Sequence, residues 1–230
     1  MTPIGTPVLE ARGVSRTFTE RGGAAVHAVR AVSATIHPGE LVVVAGPSGS
    51  GKTTLLHLLA AIDTPTSGAI FIERTDTARL APRGKAELRL RRLGLLFSEH
   101  NLSPALTAAE NVDLPLALRG VNATERRARV MAALDRLGIA RLAGRFPDAL
   151  STGEQQRVAM ARAIAGDPAA LVADEPTAHL DSEAGAALLD LLQALVRERD
   201  MAAVVASHDP AVIARADRVI RLRDGAAVAA

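Results

Sequence analysis

The chain has 230 residues, 48% of them hydrophobic, with a net charge of +2 and no cysteine. Four Phe without any Trp or Tyr mean an aliphatic core and no row of rings on which single-stranded nucleic acid could stack. Zero cysteines exclude disulfides, thiolate metal sites and cysteine nucleophiles.

The high isoelectric point is not a nucleic-acid signal. With Lys52 and Lys85 the only lysines, almost nothing titrates between neutral pH and about 10, so a small Arg excess sets the value. Charges are interspersed except for short clusters at Arg89, Arg91, Arg92 and at Arg126, Arg127, Arg129, and no nucleic-acid partner is expected. Residues 1–12 lack the basic-then-apolar pattern of a signal peptide. No apolar run reaches the roughly 18 to 20 residues needed to cross a bilayer, so any membrane role is peripheral and acts through a partner.

In chain order, residues 8–36 read as short β segments around a turn at Gly22 and Gly23. Residues 41–45 form a continuous aliphatic run, as expected of a strand buried on both faces, and lead through a Gly-rich turn into a helix over about 51–61. A middle region, about 99–154, shows helical periodicity at 108–118 and 125–137 between Pro104 and Pro147. It reads as a helical subdomain inserted into an α/β core made of about 1–98 and 155–230. From Ser151 the order is helix, strand (170–173), helix (182–197), strand (202–206), helix, strand (219–222). Strands alternating with helices imply a mainly parallel sheet covered on both faces.

Gly46-Pro47-Ser48-Gly49-Ser50-Gly51-Lys52-Thr53 matches the phosphate-binding pattern G-x-x-x-x-G-K-[ST]. Its glycines let successive N–H groups face phosphate oxygens, and the helix that follows, through Thr54, offers its positive end to the same anion. Lys52 is expected on the β- and γ-phosphates of ATP and the Thr53 hydroxyl on Mg²⁺. A second strand, 170–173, ends in Asp174-Glu175. It is expected beside the first strand, with Asp174 directed at Mg²⁺ and Glu175 polarising the attacking water; the competing reading is a strand end with exposed acids.

Leu150-Ser151-Thr152-Gly153-Glu154-Gln155-Gln156-Arg157 resembles the signature sequence of ABC transporter ATP-binding subunits, usually LSGGQ. Ala178-His179-Leu180-Asp181 is similar to that family's D-loop, and Ser207-His208-Asp209 to its switch histidine. Together with Phe97, Asn101-Leu102 and the run from Thr107 to Val112, the pattern looks most like the lipoprotein-release, macrolide-export and cell-division branch.

The resemblance implies a P-loop NTPase with a RecA-like parallel core, an N-terminal antiparallel β subdomain and an inserted α-helical subdomain. It implies a head-to-tail dimer, homo- or heteromeric, around two ATP molecules on the cytoplasmic side of the cell membrane, driving a transmembrane permease. Each site would combine the P-loop, Asp174, Glu175 and His208 of one subunit with Ser151, Thr152, Gly153 and Glu154 of the other; Asp181 also belongs to the binding set. Phe18 matches the aromatic that stacks on adenine; the alternative is a core Phe of the N-terminal sheet.

Two positions depart from the family. Ser98 stands where Gln contacts Mg²⁺ and senses the permease, and is too short for the same reach; Glu99 could substitute only by adding negative charge near the γ-phosphate. Thr152 replaces the signature's first glycine, with a β-branched side chain expected to restrict the backbone and crowd the surface. Both lead to the expectation of retained ATP binding with weakened hydrolysis. Two other function classes stay open. One is a nucleotide-gated mechanical subunit controlling a hydrolase across the membrane; the other is a soluble ABC ATPase, less favoured without coiled coils or zinc modules.

Overall fold

The computed structural model describes residues 5–19, 24–97, 99–178 and 180–228. The turn expected at Gly22 and Gly23, and Ser98 and His179, lie outside the described residues.

The elements run β1 (Leu9–Thr19), β2 (Ala25–Ile36), β3 (Leu41–Ala45), α1 (Lys52–Leu59), β4 (Ser67–Ile72), β5 (Thr75–Asp76), α2 (Pro82–Arg92), β6 (Leu93–Leu96), α3 (Ala108–Leu118) and α4 (Ala123–Arg136). They continue with α5 (Thr152–Ile164), β7 (Ala170–Asp174), α6 (Ser182–Glu198), β8 (Ala202–Ser207), α7 (Pro210–Ile213), β9 (Arg218–Arg223) and β10 (Ala226–Val228). Two sheets result. An antiparallel sheet has the order β2-β1-β4-β5, and a second sheet the order β10-β9-β3-β8-β7-β6, parallel from β9 to β6 with β10 antiparallel at the edge.

The aliphatic runs are continuous because the second sheet is covered on both faces. Along β3, Leu41, Val43 and Ala45 enter one core, with α3, α4, α5 and α6. Val42 and Val44 enter the other, with α1 and the antiparallel sheet. The same alternation splits Leu171 and Ala173 from Val172 on β7, and Val205 from Val204 on β8. The helical segment therefore shares its core with one face of the sheet, and the expected division after residue 154 falls inside the first turn of α5.

One placement differs from the sequence reading. β7 is not beside β3: β8 lies between them, paired to β3 at Val44↔Ala206 and to β7 at Ala173↔Val205. All three strands are equally aliphatic, so composition carries no information on their order. The consequence is that β8, through Ser207, inserts between the P-loop and the carboxylates that end β7.

Helix starts carry local signals. Thr107 caps α3 and Ser151 caps α5, each with a Glu three residues on that reaches back to the cap's N–H. Asn111 on α3 is buried and ties the preceding loop down, accepting from Ser103 N and donating to the carbonyls of Ser103, Leu106 and Thr107.

Candidate nucleotide site

The loop from Gly46 to Gly51 joins β3 to α1, and two of its glycines are sterically required. At Gly46 a Cβ would collide with the Leu222 carbonyl. Gly51, at φ 99°, is left-handed, and a Cβ there would run into the Ala28 carbonyl. The loop is also pinned by Gly225 N, which donates to the Ser50 carbonyl at 3.1 Å. Lys52 is nearly buried, and its ammonium donates to the carbonyls of Gly46 at 2.8 Å and Pro47 at 3.1 Å.

Glu175 directly follows β7 with φ 45°, a left-handed conformation that is costly for a residue with a side chain. It is held there by Glu175 N donating to the Ala206 carbonyl at 2.9 Å. Its carboxylate accepts from Ser207 Oγ at 3.1 Å, lies 2.8 Å from His208 Nδ1, and lies 3.9 Å from Lys52 Nζ. The lysine, the glutamate and the histidine expected from separate motifs thus form one connected group.

Asp174 is 8% exposed, and its Oδ1 has no hydrogen-bond partner; Ser50 Oγ is likewise buried and unpaired. Buried polar atoms normally find partners, so an orphaned carboxylate oxygen beside a phosphate loop fits the second sphere or ligand shell of a divalent cation. Mg²⁺ is commonly held by one or two carboxylates plus substrate phosphates. Thr53 and Asp174 are the residues that would hold it.

A cavity of about 640 Å³ opens over this loop, lined by Ser48, Gly49, Ser50, Gly51, Lys52, Thr53 and Thr54 together with Glu175. The opposite wall was not foreseen: Val26, His27, Ala28 and Arg30 of β2, and Asp224 and Gly225 of the β9–β10 turn. Ser207 was also missed as a partner of Glu175; it had been read merely as part of the Ser-His-Asp run.

The remaining expected residues lie elsewhere in the chain. Ser151, Thr152, Gly153 and Glu154 line a separate cavity of about 440 Å³, and Asp181 lines that one too, not the P-loop cavity. Asp181 caps α6, accepting from Ala184 N at 2.8 Å. Thr152 is the first residue of α5, outside the left-handed region, so the expected backbone restriction is absent: a helical first turn suits any residue. Glu99 lines a third cavity with Thr152 and Gln155, not the P-loop cavity. Phe18 is 41% exposed and so is not a core residue, yet it does not line the P-loop cavity. Its cross-strand partner Val26 does.

The ABC transporter family matches residues 29–178. An uncharacterized ABC transporter ATP-binding protein of Thermotoga maritima is 43% identical over 204 residues, 89% of this chain and 87% of its own length. The lipoprotein-releasing system ATP-binding protein LolD of Hyphomonas neptunium is 38% identical over 95% of this chain and 96% of its own. The macrolide export ATP-binding/permease protein MacB of Rhodospirillum rubrum is 43% identical over 96% of this chain, which spans only 34% of MacB. Among solved structures, the dimeric MJ0796 bacterial ABC transporter cassette superposes with a TM-score of 0.91 at 37% identity, covering 96% of this chain and 97% of that one. With the phosphate loop, the paired carboxylates and the histidine already gathered at one sheet end, this chain belongs to the ABC transporter family, as an ATP-binding domain of the branch that contains LolD and MacB.

Proposed function

We propose that the chain binds Mg-ATP at the Gly46–Thr54 loop and hydrolyses it as the motor subunit of a membrane complex. The observation that carries this reading is the Lys52–Glu175–His208 group at the mouth of the P-loop cavity. Glu175, held between Ser207 and His208, accepts a proton from water attacking the γ-phosphate. His208 fixes the carboxylate's orientation and donates to the phosphoryl oxygens as charge develops. Lys52 exchanges its two loop carbonyls for β- and γ-phosphate oxygens. Thr53 and Asp174 would hold Mg²⁺, which would neutralise phosphate charge.

Separation of the two cavities supports a dimer. Ser151 and Glu154 share no cavity with Lys52 within this chain, so a signature that contacts the γ-phosphate comes from a second copy or a related subunit. That MJ0796 is dimeric, and that its post-hydrolysis state holds ADP and Pi, accords with this arrangement. No helix among the described residues is long and apolar enough to cross a membrane. The likeness to LolD and MacB supports action from the cytoplasmic face through a transmembrane permease. An apolar groove of about 530 Å³ between α2, β6 and α3 offers such a partner a seat. Leu114 and Leu118 are exposed at its side, and Arg119 beside them has its pKa lowered by burial and by Arg129, Arg91 and Arg92.

Hydrolysis is slower than in relatives with Gln at position 98, because Ser98 cannot span the same distance. The test is steady-state phosphate release from the purified chain, alone and with its membrane partner. Ser98→Gln raises turnover at unchanged ATP affinity; a turnover identical before and after that substitution refutes the weakening.

A further inference from the structure

Four Phe are the chain's entire aromatic set, and two of them carry an arginine over the ring. Arg12 stacks on Phe71 with its guanidinium carbon 4.3 Å from the ring centre, and Arg16 stacks on Phe18 at 4.6 Å. The two arginines are anchored differently. Arg12 pairs with Glu10, two residues away on the same strand, and is largely exposed. Arg16 pairs at 2.7 Å with Asp63, 47 residues on, and both side chains are mostly covered. The first pair decorates a strand. The second crosses between layers.

Asp63 lies just beyond the end of α1. Its N–H donates to the His57 carbonyl at 3.2 Å, and its Oδ1 accepts from Thr64 N at 2.7 Å, so the carboxylate that holds Arg16 is itself fixed. The helix whose first turn carries Lys52 is about 12 Å long, and the anchor of Arg16 lies four residues beyond its last residue, Leu59. Phosphate loop, α1, Asp63, Arg16 and Phe18 form one chain of rigid contacts, and Phe18 stands opposite Val26, which lines the nucleotide cavity.

We propose that Arg16 is a positioning residue for base recognition: clamped by Asp63, it covers one face of Phe18 and sets the ring's distance from the phosphate cradle, leaving the ring to stack on a purine. This rests on the reading of Phe18 as the base platform. An exposed Phe ring otherwise samples several χ1 wells, so a cation resting on one face reduces the ordering cost of stacking and strengthens the ring's hold on its own rotamer.

The test is equilibrium binding to the purified chain of two probes, ATP and inorganic tripolyphosphate, which has the phosphates without the base. Arg16→Ala and Asp63→Ala are expected to weaken ATP by roughly two- to fivefold, the range of one exposed cation–π contact, with tripolyphosphate unmoved. Arg16→Lys retains part of the affinity, and Phe18→Ala weakens ATP without a further loss when combined with Arg16→Ala. Three results overturn the proposal. Wild-type ATP affinity in Arg16→Ala beside a loss in Phe18→Ala leaves the base platform standing and Arg16 idle. No change in Phe18→Ala removes the platform itself. Equal weakening of ATP and tripolyphosphate in Arg16→Ala means that Arg16 supports the P-loop fold and does not orient the ring.

Discussion

Two helix starts in this chain are prepared in opposite ways for an anion. α1 begins at Gly51, where no side chain caps the helix and its first turn carries no acid. α5 begins at Ser151, whose hydroxyl accepts from Glu154 N while the Glu154 carboxylate accepts from Ser151 N at 3.0 Å and from Ser151 Oγ at 3.1 Å. Free N–H groups and the positive helix end make the first an open anion site. The second has filled its own site with a carboxylate. A phosphate enters the P-loop without competition, whereas at the signature it meets a negative charge already seated. On the proposed dimer, this difference gives the tighter phosphate contact to the P-loop and the weaker one to the signature, which would engage only a nucleotide presented by another subunit.

The largest effect that tests this division is at the catalytic group. Glu175→Gln keeps the shape and the Ser207 contact but removes the general base, and hydrolysis is expected to fall by about 10² to 10⁴ with ATP affinity nearly intact. Phosphate release and equilibrium nucleotide binding, measured on the same preparation, check both halves. If affinity falls together with turnover, Glu175 is part of the binding cradle and the separation between the open site and the chemistry beside it is lost.

How far this site could be read from sequence follows from what each residue's signal was. The places of these residues in the fold were legible: an aliphatic run marks the strand ends at which Asp174, Glu175 and His208 sit, and the glycine spacing marks the turn into α1, where Lys52 and Thr53 open the helix. Bounds of β3 at Leu41–Ala45 and of α3 at Ala108–Leu118 were legible for the same reason, periodicity or its absence. Strand order was not. The insertion of β8 between β3 and β7 depends on which crossover packs where, and residues with identical burial leave no mark of it. His27, Arg30 and Asp224 reach the cavity through pairing across the sequence, Gly225 N to Ser50 O and Arg30 N to Gly225 O, which no local pattern encodes. Asp181 was assigned to nucleotide binding by family order alone, and within one chain it sits beside the signature.

An intermediate effect is expected at Glu154. Glutamine at this position can still close the capping box, so Glu154→Gln removes the charge and keeps the cap. ATP-driven association of subunits, measured by light scattering in the Glu175→Gln background, is expected to tighten by roughly two- to fivefold, the worth of one charge at a helix start. Unchanged association means that Arg141, 3.5 Å from the carboxylate, already neutralises it. The same residue gives a pH signature. Hydrogen bonding from Ser151 N and Oγ, with Arg141 and Arg157 nearby, holds the Glu154 carboxyl below its ordinary pKa, with partial burial opposing. A depressed native pKa stabilises the fold above the unfolded value of about 4.3. That contribution is lost as pH falls through the lower native value, so the stability gap between wild type and Glu154→Gln narrows in acid. Urea midpoints from pH 7 down to 3 measure it, and a gap independent of pH disproves the charged cap.

The smallest effect separates two explanations of Thr152. If this residue weakened the signature by constraining the backbone, only glycine would relieve it. Thr152 instead has ordinary helical geometry in the first turn of α5 and is exposed to both neighbouring cavities, so any cost lies in the γ-methyl and hydroxyl that project from the surface. Thr152→Ala and Thr152→Gly should then change ATP-driven association to similar degrees, with Thr152→Ser, which keeps the hydroxyl, between them and the wild type. Glycine alone carries an added stability loss, at most about 1 kcal/mol from its poor helix propensity, seen as a melting-temperature drop of no more than roughly 2 to 4 °C for a chain of this size. Association restored by glycine but not by serine or alanine would show that the signature needs a backbone excursion that α5 does not display at rest, and would move the limit on this subunit from side-chain crowding to helix-start flexibility.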